Sequence, residues 1–344
     1  MSQQVVRIGT RESQLAVWQA NKVKDLLAQN GHESELVFIK SEGDIDLKTP
    51  LYEIGVQGIF TRSLDIALLN NKIDIAVHSL KDVPTQLPQG IIQSAVLERA
   101  SYKDLLVVRE GELEEVNSEL GILNSRMSIE SKFGQQQNKQ PQTPNPKQQI
   151  TPNTTQFLTI ATSSIRRKAQ WLNRFPHDMV ENLRGNVNTR LQKVKDSNWS
   201  GAIFAAAGLE RLGLRPANAI ELDWMLPAPS QGAISVVCRE NDTAVFEACQ
   251  LFNDAATDLC TKIEKAFLRT LLGGCSTPIG ALAVIKNDTV FFRGNIFSTD
   301  GKQRVDIEKN TSLKDAANLG ETAAKELLAN GGKAIADTIQ HERK

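Results

Sequence analysis

The 344-residue chain has no surplus of charge of either sign, because 40 Lys and Arg balance 40 Asp and Glu. This balance argues against a broad surface that tracks nucleic-acid phosphates, so any anion recognition must come from basic residues gathered locally. No apolar stretch reaches the length of a membrane-spanning helix, and the segment MSQQVVRIGTRE lacks the apolar run of a signal peptide. We therefore expect a cytoplasmic protein with neither a membrane nor a nucleic-acid partner. At this length we also expect more than one domain.

Cysteine is scarce as well. The four cysteines are Cys238, Cys249, Cys260 and Cys275, spaced by 11, 11 and 15 positions and without a C-x-x-C pair. This spacing favours neither a zinc site nor a disulfide framework, so we expect a reduced protein with no metal. The chain also lacks a G-x-x-x-x-G-K-[ST] sequence, which argues against a phosphoryl-transfer enzyme.

Short apolar strands alternate with helical patterns in the first part of the chain. Residues 5–9, 35–40 and 73–77 predict strands, with helices over 13–28 and around 60–70 between them. This order predicts a doubly wound α/β unit with parallel strands and a ligand crevice at their carboxyl ends. Strand and helix patterns over 158–207 predict a second such unit.

The pattern changes from about residue 255. A helix over 257–272, strands at 289–297 and 303–309 joined by a turn, and a last helix near 313–329 predict a small α+β domain. In contrast, the 23 residues 134–156 hold eight Gln, four Pro and a single aliphatic residue. Such a segment cannot bury enough apolar surface to order itself, which indicates a solvated surface insertion or, alternatively, a partner-binding tail.

Basic residues gather at a predicted strand-to-helix junction, ATSSIRRKAQWL at 161–172. Thr162, Ser163 and Ser164 lie at the junction, where capping of the helix alone is a sufficient reason for serine. Arg166 and Arg167 oppose the helix dipole, and a bound anion would reverse that cost.

Two further arginines follow in LRGNVNTR, where Arg184 precedes a predicted N-cap at Asn186 and Arg190 lies one turn inside the helix. Residues 158–190 carry six Lys and Arg against two acids, a local excess of four positive charges. With Arg11 after the first strand, these arginines predict bidentate contacts to carboxylates or phosphates. A solvated basic face is the alternative.

The tract DIAVHSLKDVP places His78, Ser79, Lys81 and Asp82 directly after an apolar strand. A doubly wound unit has its active site at that end of a strand, so Asp82 is the candidate acid/base or cation-stabilising group. For His78, packing beside the strand is the simpler interpretation. Cys275 lies in LLGGCSTPIG, whose glycines and proline predict an exposed turn that a buried thiol would not need, although a structural cysteine in a tight turn is the alternative.

Taken together, seven tracts in one order closely resemble the porphobilinogen deaminase family, also called hydroxymethylbilane synthases. The tracts are RIGTRESQLAVWQA, DIAVHSLKDVPT, IATSSIRRKAQ, LRGNVNTRL, AAAGLERLGL, PAPSQGAI and GGCSTPIGA. Only about 112–157 falls outside the resemblance.

The resemblance implies two periplasmic-binding-like, doubly wound lobes hinged around a cleft, with a third small α+β domain. Residues 1–103 and 230–250 would form the first lobe and 104–229 the second, Arg-rich lobe. Residues 255–344 would form the domain that carries the cofactor cysteine. A monomer is expected.

It also implies a transferase that deaminates four porphobilinogen molecules and joins them head to tail into linear hydroxymethylbilane. Its primer would be a covalent dipyrromethane cofactor, one per chain, held by a thioether on Cys275. Asp82 matches the catalytic aspartate of the family. The positions that match cofactor or substrate contacts are Arg11, Ser13, Phe60, Ser79, Lys81, Thr162, Ser163, Ser164, Arg166, Arg167, Arg184, Arg190, Gln231 and Gly232.

One departure from the family lies in YEIGVQGIF, where Glu53 and Gln57 stand at positions that are commonly lysine, while Phe60 is retained. That loop would then engage its ligand through neutral hydrogen bonds. The main alternative function is a two-lobed solute-binding or ligand-sensing protein, because such a fold binds anions in its cleft without chemistry. That alternative needs neither Asp82 nor Cys275 and gives the third domain no role.

Overall fold

The computed structural model describes residues 5–40, 61–112, 157–271 and 277–341, together with the single positions 114, 116 and 120. The predicted insertion at 134–156 and the loop with Glu53 and Gln57 lie outside the described residues. Thirteen strands in the described part of the chain form three sheets, two of five strands and one of three.

The first sheet has the strand order β2-β1-β3-β10-β4. Its strands are β1 (Val6–Thr10), β2 (Ser34–Phe38), β3 (Ile75–Ser79), β4 (Ile91–Val96) and β10 (Ile234–Arg239). Strands β2, β1 and β3 are parallel, whereas β10 runs antiparallel to both of its neighbours.

Helices cover both faces of this sheet. They are α1 (Gln14–Gln29), α2 (Arg62–Leu69) and α6 (Thr243–Gln250). Val23 of α1 and Cys249 of α6 pack into a cluster with Ile8 and Ile75, whereas Leu64 of α2 packs into a separate cluster. A sheet with apolar side chains on both faces needs helices on both, which makes this unit doubly wound.

The second sheet repeats the arrangement with the order β7-β6-β8-β5-β9. Its strands are β5 (Asp104–Val108), β6 (Thr159–Ala161), β7 (Met179–Glu181), β8 (Gly201–Ala205) and β9 (Ile220–Glu221). Its helices are α3 (Ile165–Arg174), α4 (Val187–Asp196) and α5 (Ala206–Glu210). Trp171 of α3 belongs to one apolar cluster and Leu209 of α5 to another, so this unit is doubly wound too.

The strands that the sequence predicted run parallel, as expected: β1, β2 and β3 in the first sheet and β6, β7 and β8 in the second. Strands β5 and β10 were not among the predicted strands. β5 pairs antiparallel with β8 and β9, just as β10 does with β3 and β4. Each of these two strands is the first that the chain forms after crossing from one sheet to the other, so both sheets are mixed.

The third sheet is antiparallel, in the order β11 (Ile279–Lys286), β12 (Thr289–Phe297) and β13 (Arg304–Ser312). The helices α7 (Ala255–Leu271), α8 (Leu319–Leu327) and α9 (Lys333–His341) accompany it. Phe267 of α7 packs against Phe292 with ring centroids 5.0 Å apart. The helix predicted near 313–329 is present as α8, but it starts later than predicted because residues Leu313–Asn318 form a 3₁₀ helix. A kink at Gly331, with φ of 104°, separates α8 from α9, which the sequence did not predict.

These sheets confirm the predicted α/β fold class of two doubly wound lobes with a small α+β domain. In the part of the chain that the structure describes, no helix combines the length and apolar character needed to cross a membrane.

Candidate active site

The polar cluster after β3 is a single tight turn. Residues Leu80–Asp82 form one turn of 3₁₀ helix, which places Lys81 and Asp82 at the carboxyl end of β3. Leu80 is buried, and its amide donates to the carbonyl of Ala233 over 3.0 Å. Just before the turn, the Ser79 hydroxyl accepts a hydrogen bond of 2.8 Å from Gln19 Nε2 of α1. The turn is thus held by the burial of Leu80, by the hydrogen bond from Leu80 to Ala233 just before β10, and by the bond from Gln19 to Ser79.

Both acidic and basic side chains act on the pKa of Lys81. Burial lowers the pKa of Lys81 to about 8, with Asp82 and Asp104 opposing that shift and Arg166 and Arg167 adding to it. The charges that act on the Lys81 amine therefore come both from its own turn and from the start of the second sheet.

Arg190 links the turn to the second lobe. Burial and the charges of Arg167 and Arg184 together lower the pKa of Arg190 to about 10, although Asp82 acts to raise it. Arg190 Nε donates to the carbonyl of Gly185 over 2.7 Å. Helix α4 starts where the sequence predicted, because the Asn186 side chain accepts from the amide of Thr189. Asp82 of one lobe thus acts electrostatically on an arginine of the other.

Arg166 and Arg167, the predicted anion-binding pair, both form ion pairs with a carboxylate of the protein itself, Asp104. Arg166 Nη2 lies 2.8 Å from Asp104 Oδ2, and Arg167 Nη2 lies 2.7 Å from Asp104 Oδ1. All three side chains are buried. The pair further donates to the backbone carbonyls of Leu226 and Ile203. Asp104, at the start of β5, is therefore the charge that offsets two cations in the first turn of α3.

Hydroxyl groups at this junction serve the backbone. Ser164 Oγ caps α3 by accepting from the amide of Arg167 at 3.5 Å, and Thr162 Oγ1 accepts from the amide of Ser164. Ser163 Oγ donates to the carbonyl of Leu183. Ser13 has the corresponding position on α1, where it accepts from the amide of Ala16. Capping, the alternative that the sequence left open for the serines, is what Ser164 does in this structure.

Arg11 and His78 lie near the carboxyl ends of β1 and β3. Burial, together with the positive charges of Arg11 and Lys265, lowers the pKa of His78 to about 3. Its Nε2 finds no hydrogen-bond partner among the described residues. The imidazole is therefore neutral at physiological pH, as suits a packing residue.

Gln231 and Gly232 lie where the two chain crossings between the lobes meet. Gln231 Nε2 donates to Asp104 Oδ1 at 2.9 Å and to the carbonyl of Tyr102 at 2.8 Å. Gly232 has φ of 90°, and a Cβ there would lie 2.7 Å from the carbonyl oxygen of Ala100, so only glycine fits. The hydrogen bonds that the Gln231 side chain donates go to the other crossing, at residues 102–104.

Two contributors escaped the sequence analysis. Arg211 Nη2 donates to the carbonyl of Gly232 at 2.7 Å, and its guanidinium stands 5.7 Å from the ring centroid of Trp18 on α1, so it bridges the lobes. Glu264 of α7 is fully buried and accepts from Arg99 at 2.6 and 3.1 Å, and Arg99 in turn donates to the carbonyl of Gln231. The sequence segments that hold Arg211 and Glu264 were recognised. No local sequence pattern, however, indicates that Arg211 contacts Gly232 or that Glu264 pairs with Arg99.

Phe60 and Cys275 lie outside the described residues. Along the chain, the described elements on either side of Cys275 are α7, which ends at Leu271, and β11, which starts at Ile279. Among the described residues, no group of three or more His, Cys, Asp or Glu could hold a metal ion.

The fold and this turn define a two-lobed α/β protein whose lobes set a carboxylate against buried cations. Two family models match the chain: "Porphobilinogen deaminase, dipyromethane cofactor binding domain" over residues 6–247, and "Porphobilinogen deaminase, C-terminal domain" over residues 258–329. The chain is 36% identical to the porphobilinogen deaminase of Trichlorobacter lovleyi over 343 residues, which is 98% of each protein. It is also 36% identical to that of Pelobacter propionicus over 338 residues, or 97% of each. The chain belongs to the porphobilinogen deaminase family.

Similar solved structures include an arginine-specific periplasmic binding protein of Salmonella typhimurium, at 8% identity and a TM-score of 0.36, covering 74% of this chain and 94% of that one. Another is the periplasmic VFT2 domain of Bordetella pertussis BvgS, at 11% identity and a TM-score of 0.35, covering 74% and 89%. Overlaps this loose carry no weight, so the fold class rests on the strand orders above.

Family membership confirms the predicted activity, that of a hydroxymethylbilane synthase. The enzyme is a transferase that deaminates four porphobilinogen molecules and joins them into linear hydroxymethylbilane, releasing ammonia, in tetrapyrrole biosynthesis. Its cofactor is dipyrromethane. The solute-binding alternative is thereby set aside.

Proposed function

We propose that Asp82 is the catalytic carboxylate of this activity and that Lys81 and Arg190 hold substrate carboxylates beside it. The observation that carries the proposal is the position of Asp82 in the turn at the carboxyl end of β3, where its charge raises the pKa of Lys81 in the same turn and of Arg190 in the other lobe. A carboxylate with cations on two sides lies where an anionic ligand between the lobes would bind.

The basic residues suit the substrate. Porphobilinogen carries one acetate and one propionate group, and guanidinium groups bind carboxylates through paired, charge-assisted hydrogen bonds. Arg190 is partly buried, and the positive charges of Arg167 and Arg184 lie close enough to lower its pKa. This crowding is unfavourable without an anion, and bound carboxylates would offset it. We assign Arg11, Arg184 and Arg190 to substrate binding.

Asp82 has two tasks in each addition. When the C–N bond of the substrate breaks, ammonia leaves and the methylene carbon becomes cationic, and a carboxylate beside the pyrrole N–H stabilises that charge. A C–C bond then forms to the free α-carbon of the growing chain, and that carbon releases its proton. A carboxylate within reach can accept the proton as a general base. Lys81, with its lowered pKa, helps to hold the local charge balance during both events.

We further propose that Cys275 holds the cofactor by a thioether. When bound, dipyrromethane supplies the two pyrrole rings to which substrate is added. Its carboxylates have the same chemistry as those of the substrate, so the arginines assigned above fit it as well. The thiol is the best nucleophile available to the chain at neutral pH, since the other three cysteines are buried.

The domain limits belong to this proposal too: residues 1–103 with 230–250, 104–229, and 255–344. The insertion of β10 between β3 and β4 supports placing 230–250 with the first lobe. We also infer a cytoplasmic monomer that binds no nucleic acid and no membrane, supported by the balanced charge of the chain.

The test is Asp82→Asn, which keeps the shape of the side chain and removes its charge. We expect kcat to fall by about 10²- to 10⁴-fold, with the cofactor still present by intact mass and the unfolding transition unchanged. Asp25→Asn, which alters an exposed acid on α1, is the matched control and should turn over normally. Normal turnover by correctly loaded Asp82→Asn would show that another group does this chemistry.

A further inference from the structure

Lys265 contacts the catalytic turn from outside its own lobe. It lies on α7 of the third domain, and its Nζ donates to the carbonyl of Val83 at 2.8 Å and to that of Pro84 at 3.2 Å. These two carbonyls immediately follow Asp82. A cation that bridges consecutive carbonyls fixes the direction in which the backbone leaves the turn.

Backbone hydrogen bonds hold the entry and the closure of the turn. Its entry is held by the bond from Leu80 to Ala233, and its closure is the bond from the Val83 amide to the Leu80 carbonyl, at 3.2 Å. Pro84 has no N–H to donate, so the exit cannot be held by an amide at that position. The Lys265 amine therefore adds a side-chain restraint at the exit of the turn, through the carbonyls of Val83 and Pro84.

Helix α7 presents that amine at a defined position. Glu264, the preceding residue, is fully buried and accepts from Arg99, from the amide of Ser230 at 2.6 Å and from the amide of Ala283 at 2.8 Å. These bonds tie α7 to the crossing between the lobes and to β11. The Lys265 charge also acts on His78 of β3, so the amine lies close to the end of the strand that carries the turn.

We propose that Lys265 is a positioning residue for the reaction: it holds the backbone after Asp82 so that the carboxylate faces the bound substrate. The inference rests on the proposed catalytic role of Asp82. Lys265 does not touch the substrate and acts only through the turn. Helix α7 ends at Leu271, four positions before Cys275 in the sequence.

The experiment compares Lys265→Met with Lys265→Arg and Lys262→Met in the full-length, cofactor-loaded enzyme. Methionine keeps the apolar stem and removes the donors, whereas arginine restores a cationic donor. Lys262 lies on the same helix, is 65% exposed and pairs with Asp258 one turn away, so it is the matched control. Steady-state kcat and KM are measured together with cofactor occupancy by intact mass and the thermal unfolding midpoint.

We expect Lys265→Met to lower kcat by up to about 100-fold, the scale of a 1 Å misplacement, with KM within about twofold of the parent enzyme. Lys265→Arg should recover most of the rate, and Lys262→Met should keep all of it. In an Asp82→Asn background, Lys265→Met should have no further effect on kcat, because a residue that acts through Asp82 has nothing left to position. Lys265→Gln, which keeps a neutral donor, replaces the methionine variant if that one does not fold.

Normal kcat with a lowered melting temperature would overturn the proposal, since Lys265 would then only join the domains. Multiplicative losses in the double variant would overturn it too, and both results leave the role of Asp82 intact. Full activity of Asp82→Asn alone would instead remove the premise, so failure of the catalytic assignment is recognised separately.

Discussion

Gln231 and Asp104 are joined by a hydrogen bond of 2.9 Å, from Nε2 to Oδ1, although 127 positions separate them. The same carboxylate pairs with Arg166 and Arg167. One buried acid therefore connects the start of β5, the first turn of α3 and the segment by which the chain returns to the first lobe. We therefore expect removal of the Asp104 charge to lower the free energy of unfolding rather than to remove a ligand contact.

Asp104→Asn should destabilise the protein by about 3–5 kcal/mol, because it leaves two buried guanidinium groups without a countercharge. Equilibrium unfolding in urea at pH 7 measures the change in the free energy of unfolding. The control is Asp223→Asn, since Asp223 pairs with Lys103 but is 73% exposed, and we expect its effect to stay within about 1 kcal/mol. Equal effects of the two substitutions would show that the buried triad contributes little.

Stability should also depend on pH in the acid range. Burial alone would raise the pKa of Asp104, but Arg166, Arg167 and Gln231 outweigh it and hold that pKa at about 2. Asp74 is likewise held at a pKa of about 2, because hydrogen bonds from Arg7 and Arg239 outweigh its burial. Both values lie below the ordinary 3.8, so this stabilisation is complete above about pH 4 and is lost as the pH falls towards 2.

Urea unfolding at steps between pH 5 and pH 2 should show a loss on the order of 2 kcal/mol for each of these two carboxylates. In Asp74→Asn the acid-dependent loss should be smaller by about that amount. An unchanged slope in this variant would mean that Asp74 is not held ionised by its arginines.

The four cysteines should differ sharply in reactivity. Burial raises the pKa of Cys238 to about 11, that of Cys249 to about 12 and that of Cys260 to about 11, so these thiols stay protonated and enclosed. In native protein prepared without cofactor, iodoacetamide at pH 8 should label Cys275 alone. Cys275→Ser should lack both the dipyrromethane mass and tetrapyrrole synthesis, whereas Cys260→Ala should retain both. An adduct mapped to any other residue would contradict the assignment.

The sequence predicted the elements whose causes are local. Helix α4 begins after Asn186 because that side chain caps it, and the turn after β3 lies where an apolar run meets Lys81 and Asp82. The direction of β5 and β10 could not be predicted, because a strand's own residues do not specify which neighbour it will pair with. The kink at Gly331 was missed because glycine is also tolerated within a helical pattern.

In the candidate site, too, the sequence predicted local features but not the long-range contacts. Arg166 and Arg167 were recognised as cations in an unfavourable place, but the acid that balances them lies more than 60 positions earlier. Nothing around Asp104 marks it as their partner. Lys265 gave no signal either, since a lysine on an amphipathic helix is usually solvated and only the packing of α7 brings it to Val83. Long-range pairings of this kind come from the fold, not from any short motif.

The placement of β10 constrains the order in which the nascent chain can fold during synthesis. The sheet of the second lobe has all its described strands once Glu221 has emerged, whereas the N-terminal sheet still lacks the strand between β3 and β4 until Arg239 follows. Until then β3 and β4 present open edges, which are prone to pair with other chains. The first part of the molecule to be translated therefore completes its sheet after the second lobe does, and a chain that ends before residue 234, about two-thirds of the protein, carries aggregation-prone strand edges.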